Sequence, residues 1–477
     1  MTTNRRKWLA LALLCAVQFM VVLDIAIVNV ALPSIQIDLG FSESSLQWVI
    51  SAYALVFGGF LLLGGRAADL VGRRRVFVAG LIVFTLGSLF CGFAWSEASL
   101  IGARAIQGLG AALISPAALS ILMTTFREGR DRNIALGAWG AVGGFGAAAG
   151  VLLGGVLTDA LSWEWIFFVN VPVGIVALAL APVLLDESRD ARAKRFDLPG
   201  AVLVTAGLSL LVYAITEASS FGWSSWQTIS LFAGAVALLG AFAVWERRVA
   251  DPLVPFSIFR IRTLAGSNAA GFMLGTMLFS MFLLLTLYMQ QVLGYSALET
   301  GVAYLACAGT SIIWANVAAQ LVNRVGIKPV MVAGMALLAG GLAYFTQLSP
   351  DGSYVVDLLP GLLIVGVGMP FAFVSISIGA LAGVPDHEAG LASGINNTAL
   401  QIGGALGIAV ISTVAISHTE SLAASGTALP GALTGGFQAG LWVGVGVAIV
   451  GLLAALTLVK RDGERQVLPD GVALERA

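Results

Sequence analysis

Fourteen apolar runs, each about twenty residues or longer, succeed one another along this chain with only short interruptions, and about twenty apolar residues is the length a helix needs to cross a bilayer. Hydrocarbon offers no partner to a free N–H or C=O, so each run must satisfy its own backbone as a helix. The chain is therefore predicted to be an all-α polytopic membrane protein with 14 transmembrane helices. The predicted spans are Trp8–Pro33, Leu46–Gly65, Val76–Trp95, Ser99–Thr124, Asn133–Thr158, Trp165–Leu185, Leu198–Thr216, Trp226–Trp245, Leu264–Val292, Thr300–Val322, Pro329–Leu348, Val356–Leu381, Ala389–Ser417 and Phe437–Val459. Only 11% of the 477 residues are charged and mean hydropathy is +0.94, whereas soluble domains carry roughly 25% charged residues. Arg5-Arg6-Lys7 ahead of an apolar run imitates an export signal, but no small-x-small cleavage site follows, so the run is read as a retained first span.

Cations collect on the cytoplasmic side of membrane proteins. With the N-terminus inside, 24 of the 25 Lys and Arg residues fall on that side and Arg104 alone lies within a span. Both termini are accordingly placed in the cytoplasm. The net charge of −1 says little, since sidedness matters here and the sum does not.

Internal repetition organises the spans. Leu39-Gly40-Phe41-Ser42 after span 1 returns as Leu293-Gly294-Tyr295-Ser296 after span 9, and in the same register Asp69 meets Asn323, Gly72 meets Gly326 and Arg74 meets Lys328. With a slip of a few residues, Gly108 and Gly110 match Gly366 and Gly368, and Gly150 matches Gly407. Spans 1–6 and 9–14 are thus read as parallel copies, and spans 7 and 8 as an inserted hairpin. The expected division is a six-helix bundle over residues 1–185, a linker with two extra helices over 186–263, a second six-helix bundle over 264–460 and a cytoplasmic tail over 461–477. The charged stretch Asp186–Asp197 and the stretch Trp245–Arg262, with Pro252 and Pro255, read as cytoplasmic linkers, and His418–Gly436 as a loose external loop.

Only two ionisable side chains fall clearly inside spans, Asp24 and Arg104. Charges at membrane depth are costly and mark ion or substrate pathways. If Pro33 closes span 1, Asp24 lies roughly 13 Å from the outer end, close to the midplane where secondary transporters place coupling sites. A carboxylate there, tuned by burial and a nearby cation, suits loading and release of a proton. The bland alternative is a permanent ion pair with Arg104. Gln18 and Asn29 share a helix face roughly 140° from Asp24, so they are assigned to packing and Asp24 to a cavity.

Two glycine patterns stand out. Gly64-Gly65-Arg66-Ala67-Ala68-Asp69-Leu70-Val71-Gly72-Arg73-Arg74-Arg75 reads as a tight basic turn at the cytoplasmic surface, a latch with Asp69 capping or pairing at a helix end and the arginines gripping the neighbouring bundle and lipid headgroups in one state. Span 5 carries Gly140, Gly143, Gly144, Gly146, Gly150, Gly154 and Gly155, which costs helix stability and is explained by close helix contact.

Other chemistry finds no support. Cys15, Cys91 and Cys307 stand alone in apolar runs, His387 and His418 are isolated, and no nucleotide-binding glycine loop is present. No cofactor, metal, nucleic-acid partner or enzymatic activity is expected, and a monomer is expected.

These residues resemble the major facilitator superfamily, in particular its fourteen-span drug:proton antiporter branch, over nearly the whole chain. Gly65, Asp69, Gly72, Arg73 and Arg74 resemble the signature loop between helices 2 and 3. Leu23-Asp24 through Asn29-Val30-Ala31-Leu32-Pro33 is similar to the branch's span 1 motif, with Ala26 where Thr is usual. Arg104, Gln107 and Gly108 match the span 4 motif, whose arginine the family associates with proton coupling. Trp163, Trp165-Ile166-Phe167 and Asn170-Val171-Pro172 fit the span 6 signature, with Glu164 in place of Arg. Gly146, Gly150, Gly154 and Gly155 match the antiporter motif, with Val151 where proline is expected, and Leu400 precedes Gln401 where a basic residue is common.

The resemblance implies the major facilitator fold, two six-helix bundles plus two inserted helices. It also implies proton-coupled export of small amphipathic drugs or antibiotics, cationic or neutral, from a bacterial plasma membrane by alternating access. A dedicated exporter of one endogenous metabolite and a proton symporter on the same scaffold remain the alternatives.

Overall fold

The computed structural model describes residues 3–126, 130–189, 197–250, 252–254, 256–384 and 389–460. Long helices carry the fold. They are α1 (Thr3–Leu39), α2 (Trp48–Val71), α3 (Arg73–Gly92), α4 (Glu97–Thr125), α5 (Arg130–Ala160), α6 (Asn170–Leu184), α7 (Leu198–Phe221), α8 (Trp226–Glu246), α9 (Arg262–Leu287), α10 (Ala297–Val325), α11 (Ile327–Phe345), α12 (Leu359–Leu381), α13 (Ala389–Ala424) and α14 (Leu429–Thr457). Among the described residues thirteen segments are long and apolar enough to cross a membrane, and α5, with 31 residues, stands at the position of the predicted fifth span. The tail 461–477, His387, Pro255, Arg127, Arg192, Lys194 and Arg195 lie outside the described residues.

Two expectations change. Pro33 does not close the first span, because α1 continues through it to Leu39; the Asp24 backbone is then roughly 22 Å from the outer helix end, at 1.5 Å per residue. His418–Gly436 is not a loose loop, since α13 runs to Ala424 and α14 starts at Leu429. The alanines there favour helix, and Gly436 lets Thr419 pack against its backbone.

The repeat is written into local geometry. Gly40 and Gly294 adopt φ of 72° and 71°, while Gly72 and Gly326 adopt 125° and 89°, conformations that favour glycine. Ser42 and Ser296 each form a capping box at the start of the following helix. Glu299 is the acidic partner in the second box. Gly108 approaches Tyr53 O of α2, and Gly366 approaches Cys307 O of α10, so the matched glycines seat equivalent helix pairs.

Helices α1–α6 pack among themselves, as do α9–α14. The two groups meet where α5 crosses α10 and α2 crosses α13. The α7–α8 pair packs mainly on itself and leans through α7 on the α2–α13 seam, with Leu208 and Val212 against Ala54, Leu55, Ala405 and Ala409. The hydrogen bonds that cross between the groups link Gln290 to Val30 O, Gln291 to Gln36, the Leu298 N–H to Asp159, and Ser412 to Gln47. Among the described residues all four lie away from the arginine-rich ends, so the bundles are closed together on the face opposite the arginines.

Candidate functional site

Asp24 and Arg104 meet inside the first bundle. Arg104 Nη1 donates to Asp24 Oδ2 at 2.7 Å, and the side chains are 1% and 0% exposed. The other carboxylate oxygen is also used, with Gln107 Nε2 at 2.6 Å and Asn170 Nδ2 at 2.8 Å both donating to Asp24 Oδ1. Behind these, Ser88 Oγ accepts from both amides and donates to Phe167 O at 2.9 Å. Arg104 is held as closely. Its Nε donates to Val49 O at 2.9 Å, Nη1 also reaches Gln107 Oε1 at 2.7 Å, and the guanidinium carbon lies 4.3 Å from the centre of the Tyr53 ring.

Five helices deliver this cluster: Asp24 from α1, Val49 and Tyr53 from α2, Ser88 from α3, Arg104 and Gln107 from α4, and Asn170 from α6. A buried ion pair stands only when its remaining donors and acceptors are satisfied, which is what the two amides and the Val49 carbonyl supply. The sequence reading turned Asp24 towards a cavity. Its side chain is enclosed by the bundle, because α1 points that face at α4 and α6. Gln107 joins the network, whereas Asn29 bonds the Ile25 carbonyl of its own helix, and Gln18 takes a bond from Ser115. Asn170 and Ser88 were not among the candidate site residues, although Asn170 opens a highly apolar helix and is the polar exception there.

The glycines of α5 have two faces. A Cβ at Gly146 would meet Val22, at Gly150 Ala26 Cβ (2.7 Å), and at Gly154 Ile27 O (2.7 Å), so this row seats α5 on the stretch of α1 that carries Asp24. Gly155 turns the other way, where a Cβ would stand 2.6 Å from Ala297 O, and a Cβ at Gly301 of α10 would stand 2.5 Å from Val151 O. One helix therefore touches the acid-bearing helix and the opposite bundle.

The basic turn joins α2 to α3 at Gly72. Arg73 pairs with Asp69 at 3.0 Å. In this state Arg73, Arg74 and Arg75 contact the chain that leaves α6. The Arg73 N–H donates to Ser188 O (2.9 Å), the Arg74 N–H to Glu187 Oε1 (3.2 Å) and Arg74 Nη1 to Leu185 O (3.2 Å). Arg75 lies 3.7 Å from Glu187, and Arg6 pairs with Asp186 at 2.8 Å. The chain leaving α6 emerges beside α3 and carries two acids, so it occupies the turn first. A Cβ at Gly65 would meet Pro116 Cβ at 3.5 Å, whereas at its neighbour Gly64 a Cβ would stand 2.1 Å from Ala112 O.

A model of the Major Facilitator Superfamily matches residues 14–408. The chain is 42% identical over 456 residues to the puromycin resistance protein pur8 of Streptomyces alboniger, covering 95% of this chain and 90% of that protein. It is also 42% identical over 415 residues to the cephamycin export protein CmcT of Amycolatopsis lactamdurans, covering 86% and 85%. The crystal structure of an auto-inhibited POT family peptide transporter superposes with a TM-score of 0.69 at 15% identity, over 97% of this chain and 99% of that one.

Proposed function

This chain belongs to the Major Facilitator Superfamily, and from that membership we propose that it exports antibiotics or other amphipathic drugs in exchange for protons. Two relatives at 42% identity, one named for puromycin resistance and the other for cephamycin export, support the export of such compounds. The proton reading is carried by one observation, the Asp24 carboxylate held at membrane depth by Arg104, Gln107 and Asn170. When Asp24 takes a proton the ion pair is lost, and Arg104, still tied to Val49 O, must find new partners or move with α4 against α2. That couples a proton to helix packing in the first bundle. The α5 glycine row, in contact with both α1 and α10, carries the movement to the seam between bundles.

The proposed setting is a bacterial plasma membrane with both termini in the cytoplasm, and the proposed functional division follows the two copies and the inserted hairpin. The closed external side corresponds to the state that loads drug from within.

Susceptibility to a panel of amphipathic antibiotics, in an efflux-deficient host, tests the reading. Wild type should raise the inhibitory concentration of at least one compound and Asp24→Asn should not. Full protection by Asp24→Asn at equal expression would remove the proton role. Addition of substrate to protein-containing vesicles gives the sign: proton movement opposite to substrate is exchange, and movement with it is symport.

A further inference from the structure

Asp197 and Glu246 stand apart from the Asp24 network, at the cytoplasmic ends of α7 and α8, and each is 4% exposed. Asp197 caps α7. Its Oδ1 accepts from the Gly200 N–H at 2.9 Å and from the Trp245 indole at 2.7 Å. Glu246 closes α8, and its Oε2 accepts from the Val254 N–H at 3.1 Å, tying the hairpin to the segment that leads into α9. One oxygen on each residue is left over. Asp197 Oδ2 and Glu246 Oε1 are buried with no hydrogen-bond donor among the described residues.

The two spare oxygens share one space. A Cβ built on Gly200 would lie 2.4 Å from Asp197 Oδ2 and 2.9 Å from Glu246 Oε1, so the two carboxyls face each other across that point. Two carboxylates cannot hydrogen-bond each other, because both are acceptors only. Among the described residues no Lys or Arg pairs with either group. Arg247 and Arg248, next along the chain, are exposed, and the other groups that meet the pair are the Trp245 indole and backbone N–H groups of Gly200, Leu253 and Val254.

We propose that Asp197 and Glu246 hold one proton between them, a second proton-binding site that fastens the inserted hairpin to the entrance of the second bundle. Glu246 is the donor in the pair. Asp197 sits at a helix N-terminus with two N–H donors, which favours its anion, while Glu246 sits at a helix C-terminus, where the dipole opposes a negative charge. The Glu246 O–H then reaches Asp197 Oδ2 and every oxygen is used. Removing the proton sets two like charges face to face in a dry space, and the strain is relieved by parting α7 from α8 or by releasing Val254. The site reports the pH of the arginine-rich face to the joint between the hairpin and α9.

Infrared spectroscopy of the full-length protein in nanodiscs, titrated from neutral to alkaline pH, tests this. Wild type should show a carboxylic-acid C=O band at neutral pH that disappears at alkaline pH, and Glu246→Gln should lack it. Because the glutamine amide still donates to Asp197, that variant should keep a melting temperature that is flat with pH where the wild-type value falls. Asp197→Asn, which leaves no facing charge, should likewise flatten the profile and serves if the first variant folds poorly. Identical bands in wild type and Glu246→Gln, or parallel melting profiles, would overturn the site. A wild type without the band, stabilised by added sodium or magnesium, would assign a cation in place of the proton and overturn it equally.

Discussion

Arg104 bridges two helices besides its own, giving Nη1 to Asp24 of α1 at 2.7 Å and Nε to Val49 O of α2 at 2.9 Å. Removing one partner of a buried pair strands the other charge and costs about 3–5 kcal/mol. Asp24→Asn should therefore lose proton-driven transport and also melt earlier. Asp24→Asn with Arg104→Gln removes both charges, and it should recover most of the stability without recovering transport. Melting curves and proton-gradient-driven uptake into inverted vesicles separate the effects. Transport restored in the double variant would make the pair a packing device and nothing more.

The α5–α10 crossing makes a second prediction. A methyl at Gly155 would stand 2.6 Å from Ala297 O, and beside it the Asp159 carboxylate accepts the Leu298 N–H at 2.9 Å. Backbone cannot rotate aside, so Gly155→Ala must wedge the seam opposite the arginine-rich ends, which the proposed topology places outside. A penalty of 1–2 kcal/mol on the closed state changes a two-state ratio roughly 5–30-fold. A cysteine placed at Gln291, which bonds Gln36 across the seam, should react that much faster with an impermeant maleimide added outside. Unchanged labelling would show that the seam accommodates the methyl.

At the basic turn the expected effect is kinetic. Asp69 and Arg73 are 36% and 15% exposed, and half-exposed pairs contribute only about 0.2–1 kcal/mol. Asp69→Asn should thus barely move the melting temperature. If the turn and the chain after α6 act as one latch, Asp69→Asn and Glu187→Gln should both slow turnover while drug binding persists. Normal turnover in both variants leaves the turn as a determinant of topology alone.

What the sequence disclosed followed from constraints that act along the chain. Apolar length and the one-sided arginines set the spans, and the recurrence of Gly40 and Gly72 at Gly294 and Gly326 marked the repeat that their positive φ angles bear out. Asp24 and Arg104 were legible because charge inside an apolar run is conspicuous. Ser88 was not, since a small polar residue in a helix acquires meaning only from the neighbour that packing brings, and Asn170, visible as the polar start of an apolar helix, had no partner to name. The enclosure of Asp24 and the hold of the arginines on Glu187 likewise depend on which helix lies alongside, and no periodicity reports that.

The glycine pair ahead of the basic turn puts that distinction to a direct test. Motif resemblance singles out Gly65, yet the space beside it is open, with Pro116 Cβ at 3.5 Å, an ordinary contact. At Gly64 a Cβ would stand 2.1 Å from Ala112 O and 2.9 Å from its carbonyl carbon, so α2 and α4 touch there backbone to backbone. Since α4 also carries Arg104, spreading that crossing should disturb the ion pair as well as the packing. Gly65→Ala should melt within about 0.5 kcal/mol of wild type or slightly above it, as a helical Gly→Ala change without clash does. Gly64→Ala should lose about 1–3 kcal/mol through overpacking and lower drug efflux. Equal behaviour of the two variants in thermal melts would mean that the α2–α4 crossing is looser than its backbone contact implies.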